Sequence, residues 1–320
     1  MAGAMDAHAR RGAVGRVVDA CSLAYLRMRL RISRRRGRPS RIARWSNRLA
    51  VHVLRRHFDP SQTPDVLFEI NTDCNYRCPF CPQAMQPRAP RYATRAAFDR
   101  LVAELQRLNF ANELILSVNN EPFLHPDLTH FCMRVSDALP HATVALLSNG
   151  SMITRAHLKA FATLLRPPVI TVNDYTPGRA VIRRLQAWLA EPCFARLPVT
   201  LRPRSRDEPL SNRAGNLPGG RTPSQQERSF VCTWPFTAVW VAPTLEVFLC
   251  CSDYGQTTIV GDLNRQSLPE VWNAPPLQRI RAALLVPDRG RIPLCAKCDA
   301  QWWRLPRHCR TAEFVAGSQS

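Results

Sequence analysis

The sequence predicts an α/β protein built on a parallel sheet that closes only part-way into a barrel. Three observations lead there. Short β-type runs alternate with amphipathic helical stretches from Val66 to Leu201, the pattern of parallel strands joined by crossover helices. About five such units are present, fewer than the eight a closed (β/α)8 barrel needs. Polar and thiol-bearing residues gather where the strands end, which is where barrels of this kind place their chemistry.

The elements follow in order. Val66 to Ile70 is the first strand and runs straight into Cys74-Asn75-Tyr76-Arg77-Cys78-Pro79-Phe80-Cys81. Ala96 to Leu108 reads as a helix with Phe98, Leu101, Leu105 and Leu108 on one face. Strands follow at Leu114–Val118, Thr143–Leu147, Val169–Val172 and Val199–Leu201, and helices at Leu128–Leu139, Ala156–Leu165 and Ala180–Leu189. The stretch Pro203–Pro223 is rich in Arg, Ser, Asn, Gly and Pro and reads as a linker. Beyond it, Ala238–Val241 and Val247–Cys250 flank Pro243-Thr244 as a hairpin, then helical stretches carry Leu268, Val271 and Trp272 and Ile280 to Leu285. Ahead of the first strand, residues 17–32 suggest an amphipathic helix, and a second helix runs through Ile42, Trp45, Leu49 and Val53. The expected division is a basic helical extension at 1–62, an α/β core at 63–215 and a smaller C-terminal unit at 216–320.

Composition narrows the setting. The chain has 320 residues, 45% of them hydrophobic, and twelve Cys. It shows no secretory signal and no apolar run long enough to span a bilayer. Clustered Cys in such a chain favour metal binding over disulfides, and a reducing cytoplasm is the expected compartment. The net charge is +20. Residues 1–60 contribute much of it, with fifteen Arg against three Asp. Such an arm reads first as a solvated helical extension packed on the barrel. Peripheral contact with an anionic membrane is the alternative. Aromatic residues in the arm (Tyr25, Trp45, Phe58) are too sparse for a nucleic-acid module.

Cys74, Cys78 and Cys81 are the most informative residues. Three thiolates in a CxxxCxxC can hold three irons of a [4Fe–4S] cluster and leave the fourth open, whereas a complete protein cage needs four. A zinc site is the competing reading, but the spacing lacks a fourth ligand or a His partner nearby. This run, with Phe80 before the third Cys, resembles the signature of the radical S-adenosylmethionine (SAM) family. The resemblance implies an open barrel of about six βα units, a partial (β/α)6-type barrel. It implies a cluster whose open iron binds SAM and whose reduction splits SAM into methionine and a 5′-deoxyadenosyl radical. A flavodoxin- or ferredoxin-type donor would supply the electron. Asn119-Asn120-Glu121-Pro122 stands where the family carries Gly-Gly-Glu or Gly-x-Glu-Pro, so Asn120 and Glu121 are expected at the SAM amino group. Asn tolerates unusual backbone dihedrals, so the turn survives the replacement of glycine. Ser148-Asn149-Gly150 resembles the family's Thr-Asn-Gly, placing Ser148 and Asn149 at the ribose or carboxylate. Asn173 and Arg202 end later strands, and an Arg there can pair bidentately with a carboxylate.

Cys232, Cys250, Cys295 and Cys298 form a second set. Four thiolates close a [4Fe–4S] cluster with no open iron, as electron transfer wants, and four cysteines with a CxxC pair suit zinc equally. The stretch Cys232–Asp299 resembles the SPASM/twitch extension of radical SAM enzymes, in its shorter one-cluster form. Cys251 and Cys309 are spare, and Cys309 is a substitute ligand; Cys21, Cys132 and Cys193 read as packing residues. An auxiliary cluster beside a radical site implies substrate oxidation, as in aminocyclitol dehydrogenases. A small sugar- or cyclitol-like substrate is the first expectation, and peptide or cofactor maturation the alternative. A zinc-binding nucleic-acid module with a basic arm is the reading from another class. The oxidation needs a base, for which Asp174, Tyr175 and His125 are candidates.

Overall fold

In a computed structural model of the chain, the described residues are 41–206, 211–217, 222–286, 288–300 and 306. The helix expected at 17–32 lies outside them. Helix α1 (Arg41–His57) leads to strand β1 (Asp65–Phe68) and, past the Cys74 loop, to a single-turn helix α2 (Pro82–Met85). Then come α3 (Arg95–Arg107), β2 (Glu113–Ile115), α4 (Leu128–Ala138), β3 (Thr143–Ser148), α5 (Arg155–Ala162), β4 (Val169–Asp174), α6 (Ala180–Leu189) and β5 (Val199–Pro203). The C-terminal part adds α7 (Gln225–Arg228), β6 (Ala238–Val241), β7 (Glu246–Phe248), β8 (Ile259–Asp262), α8 (Leu268–Trp272), α9 (Pro275–Leu285) and α10 (Pro293–Ala296).

All eight strands join one sheet in the order β5-β4-β3-β2-β1-β6-β7-β8. The pairs from β5 through β6 are parallel, and β6–β7 and β7–β8 are antiparallel. The α/β class and the 238–248 hairpin are as expected. One part differs: β6 is more than half of a hairpin, because it pairs with β1 along its whole length, Asp65 against Ala238 through Phe68 against Val241. The sheet therefore runs across the boundary expected at 215/216. β2 is also shorter than expected. Beyond it Ser117 Oγ accepts the Leu147 N–H (3.0 Å) and Asn120 Oδ1 accepts the Val118 N–H (2.8 Å), so side chains take over the ladder where the chain turns towards the Cys74 loop.

The strand faces divide the labour. Val66, Phe68, Leu114, Leu116, Val144, Leu146, Ile170 and Val172 face the helices and form one core with them. Phe98 of α3 stacks on Phe131 of α4 at 4.0 Å. On the inner face, Leu67, Trp240 and Phe248 make a second cluster that reaches Cys250 and Cys251. Farther along the sheet the same inner face stays open. Leu147 is 45% exposed, and Thr200 and Arg202 of β5 are exposed as well. The partial barrel thus has one end plugged by the C-terminal unit and one end lined by polar strand residues.

Helix α1 does not lie on the barrel helices. Its Ala50, Val53 and Leu54 pack with Val231, Phe236, Leu249, Leu284, Ile292 and Cys295 of the C-terminal unit. Asn47 pins it there, donating to Ser229 O (2.7 Å) and accepting from Val231 N (2.6 Å).

The turn after β3 depends on Gly150, whose φ is +77° and whose missing Cβ would meet Val172 Cγ1 at 2.6 Å and Val181 Cγ1 at 2.7 Å. Both the backbone and the space exclude a side chain. Gly150→Ala should destabilise the protein by about 1–3 kcal/mol, read as a lowered midpoint in chemical denaturation.

Candidate active site

The Cys74 loop leaves β1 at the C-terminal edge of the sheet. Asp73 Oδ1 accepts the Cys74 N–H (2.8 Å), and the Cys81 N–H reaches Cys78 O (2.9 Å), folding the loop back on itself. Cys81 is the N-cap of α2, with Pro82 in the first turn; Pro there needs no N–H partner and starts the turn cheaply. Burial pushes the Cys74 thiol up to about 11, and the charges of Glu121, Cys81 and Cys78 push the same way. Cys78 is raised by burial and then by Cys81. Burial and nearby negative charge hold the Cys74 and Cys78 thiols protonated unless a cationic group joins them. The donor set fits an iron cluster on that ground: all three are free thiols on one loop, and thiolate is the ligand iron–sulfur clusters take.

The loop is anchored by the residues the sequence singled out. Glu121 N donates to Asp73 O (2.9 Å), and Asn120 Nδ2 to Asn71 Oδ1 (2.8 Å). Asn149 Nδ2 donates to Asn75 Oδ1 (3.0 Å), and Asn75 Nδ2 to Ser151 Oγ (2.8 Å). Glu121 is 1% exposed. Its carboxylate accepts from Ser148 Oγ (2.8 Å), Asn149 N (2.8 Å) and Phe123 N (3.1 Å). A carboxylate has about four acceptor positions, so one remains for an incoming donor such as an ammonium. Burial lifts the Glu121 carboxyl from 4.5 to about 7, against the pull of those three bonds. Glu121, Ser148 and Asn149 are therefore one unit beside the Cys loop.

Asn120 is different: its amide bonds Val118 N at one end and Asn71 at the other, so it shapes the loop and keeps one N–H and one lone pair beyond those bonds. Neither Asn119 nor Asn120 has a positive φ, and the unusual dihedral expected from the family's glycines is not needed. Phe80 lies against Tyr175 at 5.2 Å between ring centroids. Asn173 and Arg202 are direct register partners on β4 and β5, on the open inner face, and Asn173 follows Val172, the partner of Ser148. Arg206, past the end of β5, sits over the Tyr76 ring at 5.8 Å.

Two of the three proton acceptors expected from sequence already have structural work. His125 is buried, with Nε2 on Ala93 O (3.1 Å) and Nδ1 accepting from Asp127 N (3.0 Å); burial lowers its pKa. Asp174 accepts from Thr176 N (2.7 Å), Thr176 Oγ1 (2.5 Å) and Ile182 N (3.0 Å), bonds that hold its carboxyl below the usual range in spite of burial. Tyr175, against Phe80, is the candidate that stays with the Cys loop.

The second set draws on three separate places in the chain. Cys232 precedes the turn Trp234–Phe236, Cys250 follows β7, Cys295 lies in α10 and Cys298 just after it. Their thiols sense one another. Burial raises Cys250 well above 9.0, helped by Cys251, Cys232 and Cys295, and raises Cys232 to about 11, helped by Cys298 and Cys251. Cys251 belongs to the same neighbourhood, with Cys298 and Arg213 acting on it. Arg289, 2% exposed, lowers both Cys232 and Cys295, and its buried Nε has no partner. A buried cation and an unused donor beside converging thiols suit a thiolate-rich cluster. Among the described residues, no three His, Cys, Asp or Glu side chains are drawn together tightly enough to hold a single metal ion. Cys132 is a buried core residue and Cys193 is exposed; Cys21 and Cys309 lie outside the described residues.

Sequence reasoning missed a polar knot between the two sets. Glu69, 0% exposed, accepts from Arg88 Nη2 (2.7 Å) and Asn119 N (2.9 Å) on Oε1. On Oε2 it accepts from Arg88 Nη1 (2.8 Å) and Gln256 Nε2 (2.6 Å). Asn119 Nδ2 reaches Cys251 O (3.0 Å). The available signal was a lone carboxylate inside the apolar run Val66–Ile70, on the face shared with Leu67.

The Glu121 carboxyl gives a sign to pH dependence. The folded chain holds that proton more tightly than the unfolded chain between pH 4.5 and about 7. Its contribution, about 3 kcal/mol, is present below pH 4.5 and is lost as pH rises through 7. Thermal unfolding of the protein without added SAM should show that downward slope, and Glu121→Gln should flatten it.

Comparison with known proteins agrees with this geometry. Residues 68–184 match the model of the radical SAM superfamily, and residues 232–299 match that of an iron–sulfur cluster-binding domain, SPASM. An S-adenosyl-L-methionine-dependent 2-deoxy-scyllo-inosamine dehydrogenase from Niallia circulans is 25% identical over 232 residues, 72% of this chain and 90% of that protein. The crystal structure of BtrN in complex with AdoMet and 2-DOIA is similar in fold, with a TM-score of 0.66, 23% identity, and coverage of 75% of this chain and 94% of that one. An anSMEcpe structure with bound AdoMet aligns over 69% of this chain and 81% of that one, with a TM-score of 0.51 and 10% identity. The three-thiol loop at the mouth of a partial barrel and the distant four-thiol set thus have one explanation: this chain belongs to the radical SAM superfamily of enzymes and carries a C-terminal SPASM iron–sulfur domain.

Proposed function

We propose that this enzyme oxidises a secondary alcohol of a small polyhydroxylated substrate, a cyclitol or sugar, to a ketone. The observation that carries the reading is the half-open inner face of the sheet, lined by Leu147, Thr171, Asn173, Thr200 and Arg202, with Cys250 packed against its plugged part. The relative from Niallia circulans, a 2-deoxy-scyllo-inosamine dehydrogenase, supports the substrate class.

Cys74, Cys78 and Cys81 would hold the first cluster, and Cys232, Cys250, Cys295 and Cys298 the second. When bound, a [4Fe–4S] cluster with SAM on its open iron supplies a 5′-deoxyadenosyl radical, and a second [4Fe–4S] cluster can take up one electron. Glu121 offers its remaining acceptor position to the SAM ammonium, with Ser148 and Asn149 fixing the carboxylate's direction. Phe80 and Tyr175 wall one side. Arg202 and Asn173, side by side on neighbouring strands, present a cation and an amide to the oxygens of SAM or substrate. Alcohol oxidation releases one hydrogen atom from carbon, one proton from the hydroxyl and one further electron. Tyr175, against Phe80, would relay the proton. A donor of the flavodoxin or ferredoxin class would supply the electron that starts each turnover. Residues 63–215 would carry the radical chemistry and 216–320 the second cluster, and a small-molecule oxidation needs no peptide or nucleic-acid partner.

No helix among the described residues is long and apolar enough to cross a membrane.

Anaerobically purified protein should contain about eight irons per chain with matching sulfide; zinc in place of iron would sink the reading. With SAM and a reductant it should release 5′-deoxyadenosine, and Cys74→Ala should reduce that release to background. Cys295→Ala should retain 5′-deoxyadenosine release yet lose ketone formation from a panel of cyclitols and aminocyclitols, measured by mass spectrometry.

A further inference from the structure

Between the two thiol sets the protein buries a side-chain amide that is satisfied at one end only. Gln83 is 1% exposed. It lies two residues past Cys81, in the single turn α2 that Cys81 caps. Its Oε1 accepts the Tyr254 hydroxyl, and its Nε2 has no partner. A buried donor left unmade costs about 1–3 kcal/mol, so such a group points to a ligand.

Tyr254 comes from the other half of the molecule, four residues past Cys250, and is 2% exposed. The Arg88 guanidinium lies over its ring at 4.4 Å. Arg88 is itself fixed by both oxygens of Glu69, and all four acceptor positions of that carboxylate are taken. Glu69 has nothing left for a substrate; its effect is to fix Arg88, and through it Tyr254. The Cys81 charge reaches Tyr254 as well, which places the phenol and the amide it holds beside the first thiol set. No protein acceptor among the described residues takes the free N–H. An iron–sulfur cluster would bring acceptor sulfurs to that spot.

We propose that Gln83 donates its side-chain N–H to a sulfur of the cluster held by Cys74, Cys78 and Cys81, and that Tyr254 of the SPASM domain is the positioning residue for this bond. The inference rests on the reading of those three thiols as a cluster site. Hydrogen bonds to cluster sulfurs stabilise the reduced, more negative state and so raise the reduction potential. The potential of the radical-generating cluster then depends on a hydroxyl supplied by the domain that carries the other cluster. A radical site whose auxiliary domain is not docked is harder to reduce, which guards SAM against unproductive cleavage.

The test is a redox titration of the holoenzyme followed by electron paramagnetic resonance. The first cluster is recognised as the one whose signal changes on adding SAM. Gln83→Leu should shift its potential downwards, so that at fixed applied potential its reduced-to-oxidised ratio falls about tenfold, the effect of one hydrogen bond to a charged acceptor. Tyr254→Phe should shift it in the same direction by less, with the second cluster unmoved. Gln83→Glu keeps the shape and loses the donor when ionised; it carries the test if the Leu variant fails to load iron. Full iron with an unshifted first cluster in both Gln83 variants overturns the proposal alone. A wild-type protein with no SAM-sensitive cluster signal overturns both this inference and the function on which it rests.

Discussion

Glu69 is a charge where the sheet can least tolerate one. It stands at the end of the central parallel strand, fully buried, and Arg88 meets it with two parallel hydrogen bonds. Taking either partner away would strand the other in a low-dielectric interior, the costliest way to break a buried pair. The pair draws in the loop after β2 through Asn119 and the C-terminal unit through Gln256. The domains share more than an interface: they share a strand pairing, β1 with β6, and a hydrogen bond from Gln256 to the Glu69–Arg88 pair.

A second buried carboxylate shows what happens without a cation. Glu121 has three hydrogen bonds and no arginine, and burial keeps its carboxyl near 7. Glu69 is saturated and serves as a pin. Glu121 keeps an unfilled acceptor position, and an arriving ammonium would lower its pKa and gain a charge-assisted bond in one event. The two lie on adjacent strand ends and differ in chemistry because one neighbour is Arg88 and the other is Ser148.

Much of this was legible in the sequence. The Cys74 triplet, the Glu121 turn and Ser148-Asn149 could be read because each is a local run whose chemistry is written in consecutive residues. Strand and helix placement followed from periodicity, and β6 was recognised as a strand. Its partner was not, because a parallel pairing between residues 65 and 238 leaves no local trace. The same holds for the polar knot: Glu69, Arg88 and Gln256 each look like ordinary loop or strand polarity until the fold brings them together. His125 and Asp174 show the converse error. Titratable residues near strand ends resemble catalytic groups in sequence, yet backbone N–H and C=O groups that the turns leave unpaired claim them first.

The packing of α1 against Leu249, Leu284 and Cys295 has a consequence for how the molecule is made. Residues near position 50 meet their apolar partners in the C-terminal unit only after the ribosome has passed position 231, and the last of them near 295. A contact of that separation closes late, because loop-closure entropy is spent before any burial repays it. The barrel strands, with neighbours close in sequence, can pair earlier. The Cys74 loop can be presented by a nascent barrel, whereas the four thiols are complete only once residue 298 has been made.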